Sequence, residues 1–345
     1  MEKKLCIEEL NREYDRYYTT VRLTLTLKKA LDKYNIDDIQ FLQAEYKLKS
    51  EVSSKEVKPD VTLEDSDEKL ILFEIKSSVP FTPELLEKEL LELPKYDDNL
   101  IRTDKRGIIS ENHDIIFLCP LKDFESVQNM INSLGDAFNF SKNFSIWTWV
   151  EMNALRSGAT NSTVIERKIG EVSNQKLNSV SKHINIDDVD LIEESEKSVF
   201  VPLQPPDVYL LVRLFSQIFP GIFPQETKTF ISAEEIIEMT KDYYISWAGN
   251  QRAQSQIRSS WIKRGLKILE ELGLAEKNEK GEYFVQPWLS RSTKDIKKYL
   301  IQRLCDRELI TKKIELEEKR KAEILKKQQQ LDQFFKEENR RKRTN

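Results

Sequence analysis

Histidine is nearly absent from this chain: of 345 residues, only His113 and His183 are histidines. That shortage argues against a structural zinc site and against imidazole acid/base catalysis. Cys6, Cys119 and Cys305 stand far apart without metal-ligand spacing, so they read as reduced, mostly buried thiols. No apolar run is long enough to span a bilayer, and the N-terminus lacks a signal-peptide pattern. A soluble, intracellular protein without a membrane partner is expected. The formal net charge of −4 is small beside a charged fraction of 33%, so charge is patchy rather than one-signed. A mildly acidic balance does not exclude nucleic acid, because a basic groove can sit on an acidic body. Hydrolysis by such a chain needs carboxylates, a metal and a lysine.

Those groups are present in one stretch. Lys58-Pro59-Asp60-Val61-Thr62-Leu63 is followed by Leu70-Ile71-Leu72-Phe73-Glu74-Ile75-Lys76. Both apolar runs read as strands, and a hairpin between them brings Asp60 to the face shared by Glu74 and Lys76. Two hard oxygen ligands and an ammonium beside a metal-bound water are the equipment for cutting a phosphodiester. The alternative is a turn residue at Asp60 and a surface ion pair at Glu74 and Lys76. His113, beside the apolar run 114–118, reads as a strand-end polar residue.

These residues resemble the PD-(D/E)xK nuclease superfamily. The resemblance implies a restriction-endonuclease-like α/β fold, a mixed sheet flanked by helices. It implies Asp60 and Glu74 as ligands of Mg²⁺ or Mn²⁺, the Ile75 carbonyl as a further ligand, and Lys76 as the catalytic lysine. An additional acid often comes from the helix before the sheet. Glu13 is the candidate here, with Glu9 and then Glu45 behind it. Some branches carry Gln-x-x-x-Tyr on the next helix; here the position reads Glu92-Leu93-Pro94-Lys95-Tyr96, which keeps the Tyr and lacks the Gln.

The remaining pattern predicts a helix from Ile7 to Tyr34, a strand over Phe41–Leu48, and a helix from Pro83 broken at Pro94. A strand over 114–118, an amphipathic helix over Phe124–Leu134 and a strand over Phe144–Val150 follow. Polar residues from 157 to 198, among them Ser162, Ser173, Asn174, Ser179 and Ser181, read as loops. Residues 1–190 are therefore expected to form the nuclease-like domain and 191–204 a linker.

Residues 205–300 read as a second domain. An apolar helix starts at Asp207, a capping box Ser232-Ala233-Glu234-Glu235 opens another, and a basic helix runs from about Gln251 to Leu272, stopped by Gly273. A hairpin follows across Asn278–Gly281. This order resembles a winged helix-turn-helix, which implies a helix in a DNA groove. Arg252, Arg258, Lys263, Arg264 and Lys267 are the candidate DNA contacts, and a solvated face of a protein-binding domain is the alternative. Glu270, Glu271, Glu276 and Glu279 argue against a wide DNA footprint.

Residues 301–345 form a charged helical or disordered tail. Within 328–335, Gln328, Leu331, Phe334 and Phe335 follow the spacing of a clamp-binding plug. They resemble the PIP box of proteins that bind the sliding clamp PCNA, which implies an archaeal, archaeal-viral or eukaryotic source. The composition leans archaeal, hence cytoplasmic; in a eukaryote the basic run 340–343 would suit a nuclear address. The combined expectation is a Mg²⁺-dependent DNA endonuclease of replication or repair, tethered to PCNA. A non-catalytic clamp-bound DNA-binding adaptor and a restriction or defence endonuclease are the alternatives. A homodimer is compatible with the resemblance.

Overall fold

The computed structural model describes residues 2–80, 82–102, 109–152, 161–188, 204–223, 228–239, 259–285 and 294–311. The protein is mixed α/β. A long helix, α1 (Glu2–Lys33), precedes strands β1 (Ile39–Ala44), β2 (Leu48–Ser50), β3 (Glu56–Val57), β4 (Val61–Asp65) and β5 (Leu70–Ile75). Then come α2 (Pro83–Leu90), a 3-10 turn over Leu93–Tyr96, β6 (Leu100–Arg102), β7 (Ile109–Ser110) and β8 (His113–Pro120). Helix α3 (Phe124–Leu134), β9 (Asn143–Met152), β10 (Ser162–Ile169), α4 (Gln175–Val180) and β11 (Ile184–Asp187) complete this part.

The main sheet is seven-stranded, in the order β1-β4-β5-β8-β9-β10-β11. Its centre is parallel, since β5 pairs β8 and β8 pairs β9 in parallel. Both flanks are antiparallel: β1, β4 and β5 on one side, β9, β10 and β11 on the other. Parallel neighbours need crossover connections, and α2 and α3 lie in those two crossovers. The alternation of side chains separates two cores. Ile71, Phe73, Ile116, Leu118 and Trp147 pack toward α1, while Leu70, Leu72, Ile115, Phe117 and Cys119 pack with α2 residues and with the smaller sheet β3-β2-β6-β7.

Two sequence expectations change. The run Phe41–Leu48 is not one strand: Glu45 adopts φ 49, so the chain turns and β2 joins the smaller sheet. The stretch from 157 to 198 is not all loop, because β10, α4 and β11 lie within it, and Ser162 and Ser179 belong to regular elements. Its polar composition hides Val164, Ile165, Ile184 and Ile186, all buried. Arg22 on α1 fixes that edge, meeting Asp188 at 2.6 Å and Glu151 at 3.2 Å.

Beyond this part, α5 (Asp207–Arg213) continues through a π-helical segment, Leu214–Ile218, to a last turn, Phe219–Ile222. Helices α6 (Ala233–Met239) and α7 (Ser259–Glu271) and the hairpin β12 (Ala275–Lys277) and β13 (Tyr283–Val285) follow. The capping box forms: Ser232 Oγ accepts from the Glu235 amide at 3.2 Å, and Glu235 accepts from the Ser232 amide at 3.0 Å. Gly273, at φ 70, ends α7. Gly265 lets α7 approach α5, since a Cβ there would lie 2.4 Å from Leu214 Cδ1. A final helix over 294–311 packs Ile296, Leu300, Ile301 and Leu304 inward.

These helices share a continuous core with α1 and the main sheet. Tyr209 of α5 meets Tyr17 at 4.4 Å between ring centres, and Lys297 lies 4.3 Å over the Tyr14 ring. Helix α1 is thus clamped between the sheet and the C-terminal helices. All three cysteines are free and buried, as expected, and burial first of all pushes the Cys6 and Cys119 thiols up to about 12. No described helix is long and apolar enough to cross a membrane.

Candidate functional site

The site grows from the β4–β5 hairpin. Val61 pairs with Phe73, so Asp60, one residue earlier, stands opposite Glu74. The Ile75 amide donates to Asp60 Oδ2 at 2.6 Å, which turns the carboxylate in over the end of β5. Lys76 is one residue past the strand and two past Glu74, and its Nζ reaches Glu74 Oε1 at 3.3 Å. The three predicted side chains therefore gather at the carboxyl end of a strand in the parallel centre of the sheet. In open α/β sheets that end is where ligands bind.

Neighbouring elements hold this group in place. The Tyr96 hydroxyl donates to Glu74 Oε2 at 2.9 Å, and Glu89 on α2 meets Lys76 at 3.6 Å. The Lys76 backbone is pinned on both sides: its amide donates to Leu118 O at 2.8 Å, and its carbonyl accepts from Trp149 Nε1 at 3.0 Å. Glu89 and Trp149 were not singled out from the sequence. Tyr96 was visible only as the remaining half of a Gln-x-x-x-Tyr pattern. His113 is buried at the head of β8, its ring 2.5 Å from Tyr96 O, and burial lowers its pKa. It is a strand-end residue that also seats the Tyr96 turn.

Electrostatics sets each group's state. Burial first, and Glu74 second, push Asp60 up to about 7. Burial by itself would lower Lys76, but Glu74, Glu89 and Asp60 outweigh it and hold the lysine above its ordinary value. Lys76 is therefore an ammonium at neutral pH, a cation rather than a base. Burial and then Glu74 raise Tyr96 far above the usual phenol range, so it stays a hydrogen-bond donor.

No family model, curated protein or solved structure matches the chain. The geometry therefore carries the functional reading by itself. Among the described residues, no three His, Cys, Asp or Glu side chains group as a ready metal cage. The donor set nevertheless suits Mg²⁺, which keeps several waters and commonly takes only one or two carboxylates plus substrate phosphate. Asp60 and Glu74 are like charges brought together where ionisation is opposed, and a divalent cation would relieve that conflict.

The remaining predicted residues are dispersed. Glu13 lines a cleft with Asp60 and Glu45, but its charged neighbours are Asp207, Glu308 and Arg16. Desolvation first, then Asp207 and Glu308, raise its pKa. Glu9 is exposed on α1. Arg264 donates to Pro205 O at 2.6 Å and lies 3.0 Å from Asp207, and Lys263 pairs with Glu234 at 3.0 Å. Lys267 is exposed on α7. Arg252 and Arg258, and the tail residues Gln328, Leu331, Phe334 and Phe335, lie outside the described residues.

Asp60 carries a stability consequence. Its carboxyl titrates at about 7 in the folded chain and near 3.8 in model peptides. Between those values the folded state retains a proton that the unfolded state has lost, so stability falls as pH rises through about 7. Without divalent cations, Asp60→Asn should melt above wild type at pH 8, by on the order of 3 kcal/mol, and lose that advantage towards pH 4. Matching melting curves for the two proteins at pH 8 would contradict this electrostatic picture.

Proposed function

We propose that the protein is a metal-dependent DNA endonuclease of restriction-endonuclease-like build. The observation that carries this reading is the convergence of Asp60, Glu74 and Lys76, with Ile75 N–H to Asp60 at 2.6 Å and Lys76 to Glu74 at 3.3 Å. Asp60, Glu74 and the Ile75 carbonyl would hold the cation, Mg²⁺ or Mn²⁺, with waters completing its shell. When bound, the ion supplies an acidified water and neutralises phosphate charge. Lys76, kept as an ammonium, stabilises charge building on the phosphate. Tyr96 and Glu89 orient Glu74 and Lys76 for those tasks. Element order supports the fold assignment: a helix, then two antiparallel strands, a parallel crossover over α2, and another over α3.

The C-terminal part is read as a winged helix. Support comes from α5, α6, α7 and the hairpin in that order, with Ile231 between α5 and α6 bridging to Tyr283 on β13. In this reading the domain positions DNA, and the PIP-box residues tether the enzyme to PCNA at replication or repair sites, raising its local concentration.

A non-catalytic DNA-binding adaptor is the second reading. It is favoured by Lys76 lying between Glu74 and Glu89, which offsets acidic charge without a metal ion. The deciding experiment is a panel of flap, fork, junction, nicked and linear DNA with Mg²⁺ or Mn²⁺, with and without PCNA. The nuclease reading expects cutting of at least one substrate that stops on chelation. A panel left intact under every condition selects the adaptor.

A further inference from the structure

A cleft of about 590 Å³ opens beside Asp60, lined by α1 residues Glu13, Arg16, Tyr17 and Thr20 on one side and by Pro205, Pro206, Asp207 and Arg264 on the other. It is therefore shared by the sheet, its first helix and the C-terminal helices. We infer that this cleft takes a single strand of DNA, with Arg16 gripping a phosphate next to the one at Asp60. The inference deepens the nuclease reading and rests on it for the identity of the ligand.

Size comes first. The volume falls within the range of about 300–1,000 Å³ typical of small-ligand pockets. It suits a nucleotide or two.

Charge comes next. Duplex DNA carries one phosphate charge per ~1.7 Å of axis, and binding it takes a track of cations. Here the lining offers two arginines, Arg16 and Arg264, among the acids Glu13, Glu45, Asp60 and Asp207. Arg264 is already engaged with Pro205 O and Asp207. Arg16 is exposed on α1, and among the described residues no side-chain hydrogen bond or ion pair of its guanidinium is formed. Its fork, near enough to Glu13 and Asp60 to offset part of the rise that burial gives both carboxyls but bonded to neither, matches a phosphate in two-point geometry. One such cation holds one phosphate of a strand; it does not hold a duplex.

The walls agree with that occupant. Half-buried Pro206 provides apolar surface on which a base face can lie, and Asp60 of the candidate cutting site also lines the cleft. A flap or fork arm entering here would place its backbone on Asp60 while duplex DNA remains outside.

Binding with Ca²⁺ in place of Mg²⁺, which keeps a divalent charge available beside Asp60, with the strand checked intact on a gel, tests this independently of catalysis. Fluorescence anisotropy should show a short labelled single strand of DNA binding at least about tenfold more tightly than its blunt duplex. Arg16→Ala should weaken single-strand binding about tenfold, with Arg16→Lys in between and melting temperatures unchanged. Equal or tighter duplex binding, or an Arg16→Ala affinity equal to wild type, overturns the inference. Preference for an RNA strand over the DNA strand overturns the choice of DNA. If the single strand binds through Arg16 but no substrate in the cleavage panel is cut, the nuclease reading falls and this one stands. If DNA is cut but Arg16→Ala binds normally, the reverse holds.

Discussion

Replacing Lys76 with alanine should reduce metal-dependent DNA cleavage by about 10²–10³-fold or more while leaving the fold intact. The lysine is held as an ammonium by Glu74, Glu89 and Asp60, so in the proposed reaction its removal takes away the cation that would meet the attacked phosphate. It also leaves Glu74 and Glu89 without the cation between them, which disturbs the geometry of any metal ligand at Glu74. Asp60→Asn should be equally severe for another reason. It preserves an acceptor for the Ile75 amide but removes one of the two charges proposed to hold the metal. Neither change opens a core cavity, because Asp60 and Lys76 are only partly buried, at the end of the hairpin, and Asn matches Asp in size. Tyr96→Phe provides the graded comparison. It keeps every charged group and deletes one 2.9 Å hydrogen bond to Glu74, so a loss of about tenfold is expected. Circular dichroism and melting should show all three variants folded. Wild-type rates from purified Lys76→Ala or Asp60→Asn would show that the three residues are not the cutting site.

Why the hairpin could be read from the sequence is plain in its chemistry. Two apolar runs are separated by a polar turn, where Asp65 Oδ1 accepts from the Asp67 and Lys69 amides at 3.0 and 2.9 Å and Glu68 takes φ 60. Local signals of that kind place Asp60, Glu74 and Lys76 together without tertiary information. The same holds for the capping box at Ser232 and the stop at Gly273. By contrast, β10 and β11 lie in a stretch rich in Ser and Asn, and they become strands because β10 pairs with β9, β11 pairs with β10, and Arg22 ties the edge. Glu45 breaks β1 from β2 in a left-handed conformation that no local residue announces. Glu89, Tyr96 and Trp149 reach the site across sequence separations of 13, 22 and 73 residues from Lys76 or Glu74, distances over which pattern reading is blind. Arg16 joins the cleft only because the C-terminal helices pack against α1.

The largest stability effect should come from the ion pair that joins the two sheets beneath the site. Glu64 on β4 and Arg102 on β6 are 2% and 1% exposed and in direct contact. Arg102 Nε also donates to the Tyr46 hydroxyl at 3.1 Å, and Gln40 donates to Glu64 at 3.0 Å. Two opposite charges removed from water are tolerated only together. Glu64→Leu should therefore cost roughly 3–5 kcal/mol, because it leaves a guanidinium buried without this counter-charge, and Arg102→Met should cost a similar amount. The double variant Glu64→Leu with Arg102→Met removes both charges and should recover most of that loss. Its recovery should extend to cleavage. Strand β4 begins next to Asp60, and β6 begins four residues after Tyr96, so the pair fixes the separation between the hairpin and the residue that orients Glu74. Urea melts of the four proteins provide the cycle. Single variants that lose less than about 1 kcal/mol, or a double variant no more stable than the weaker single, would mean that the contact between Glu64 and Arg102 does not hold the sheets together.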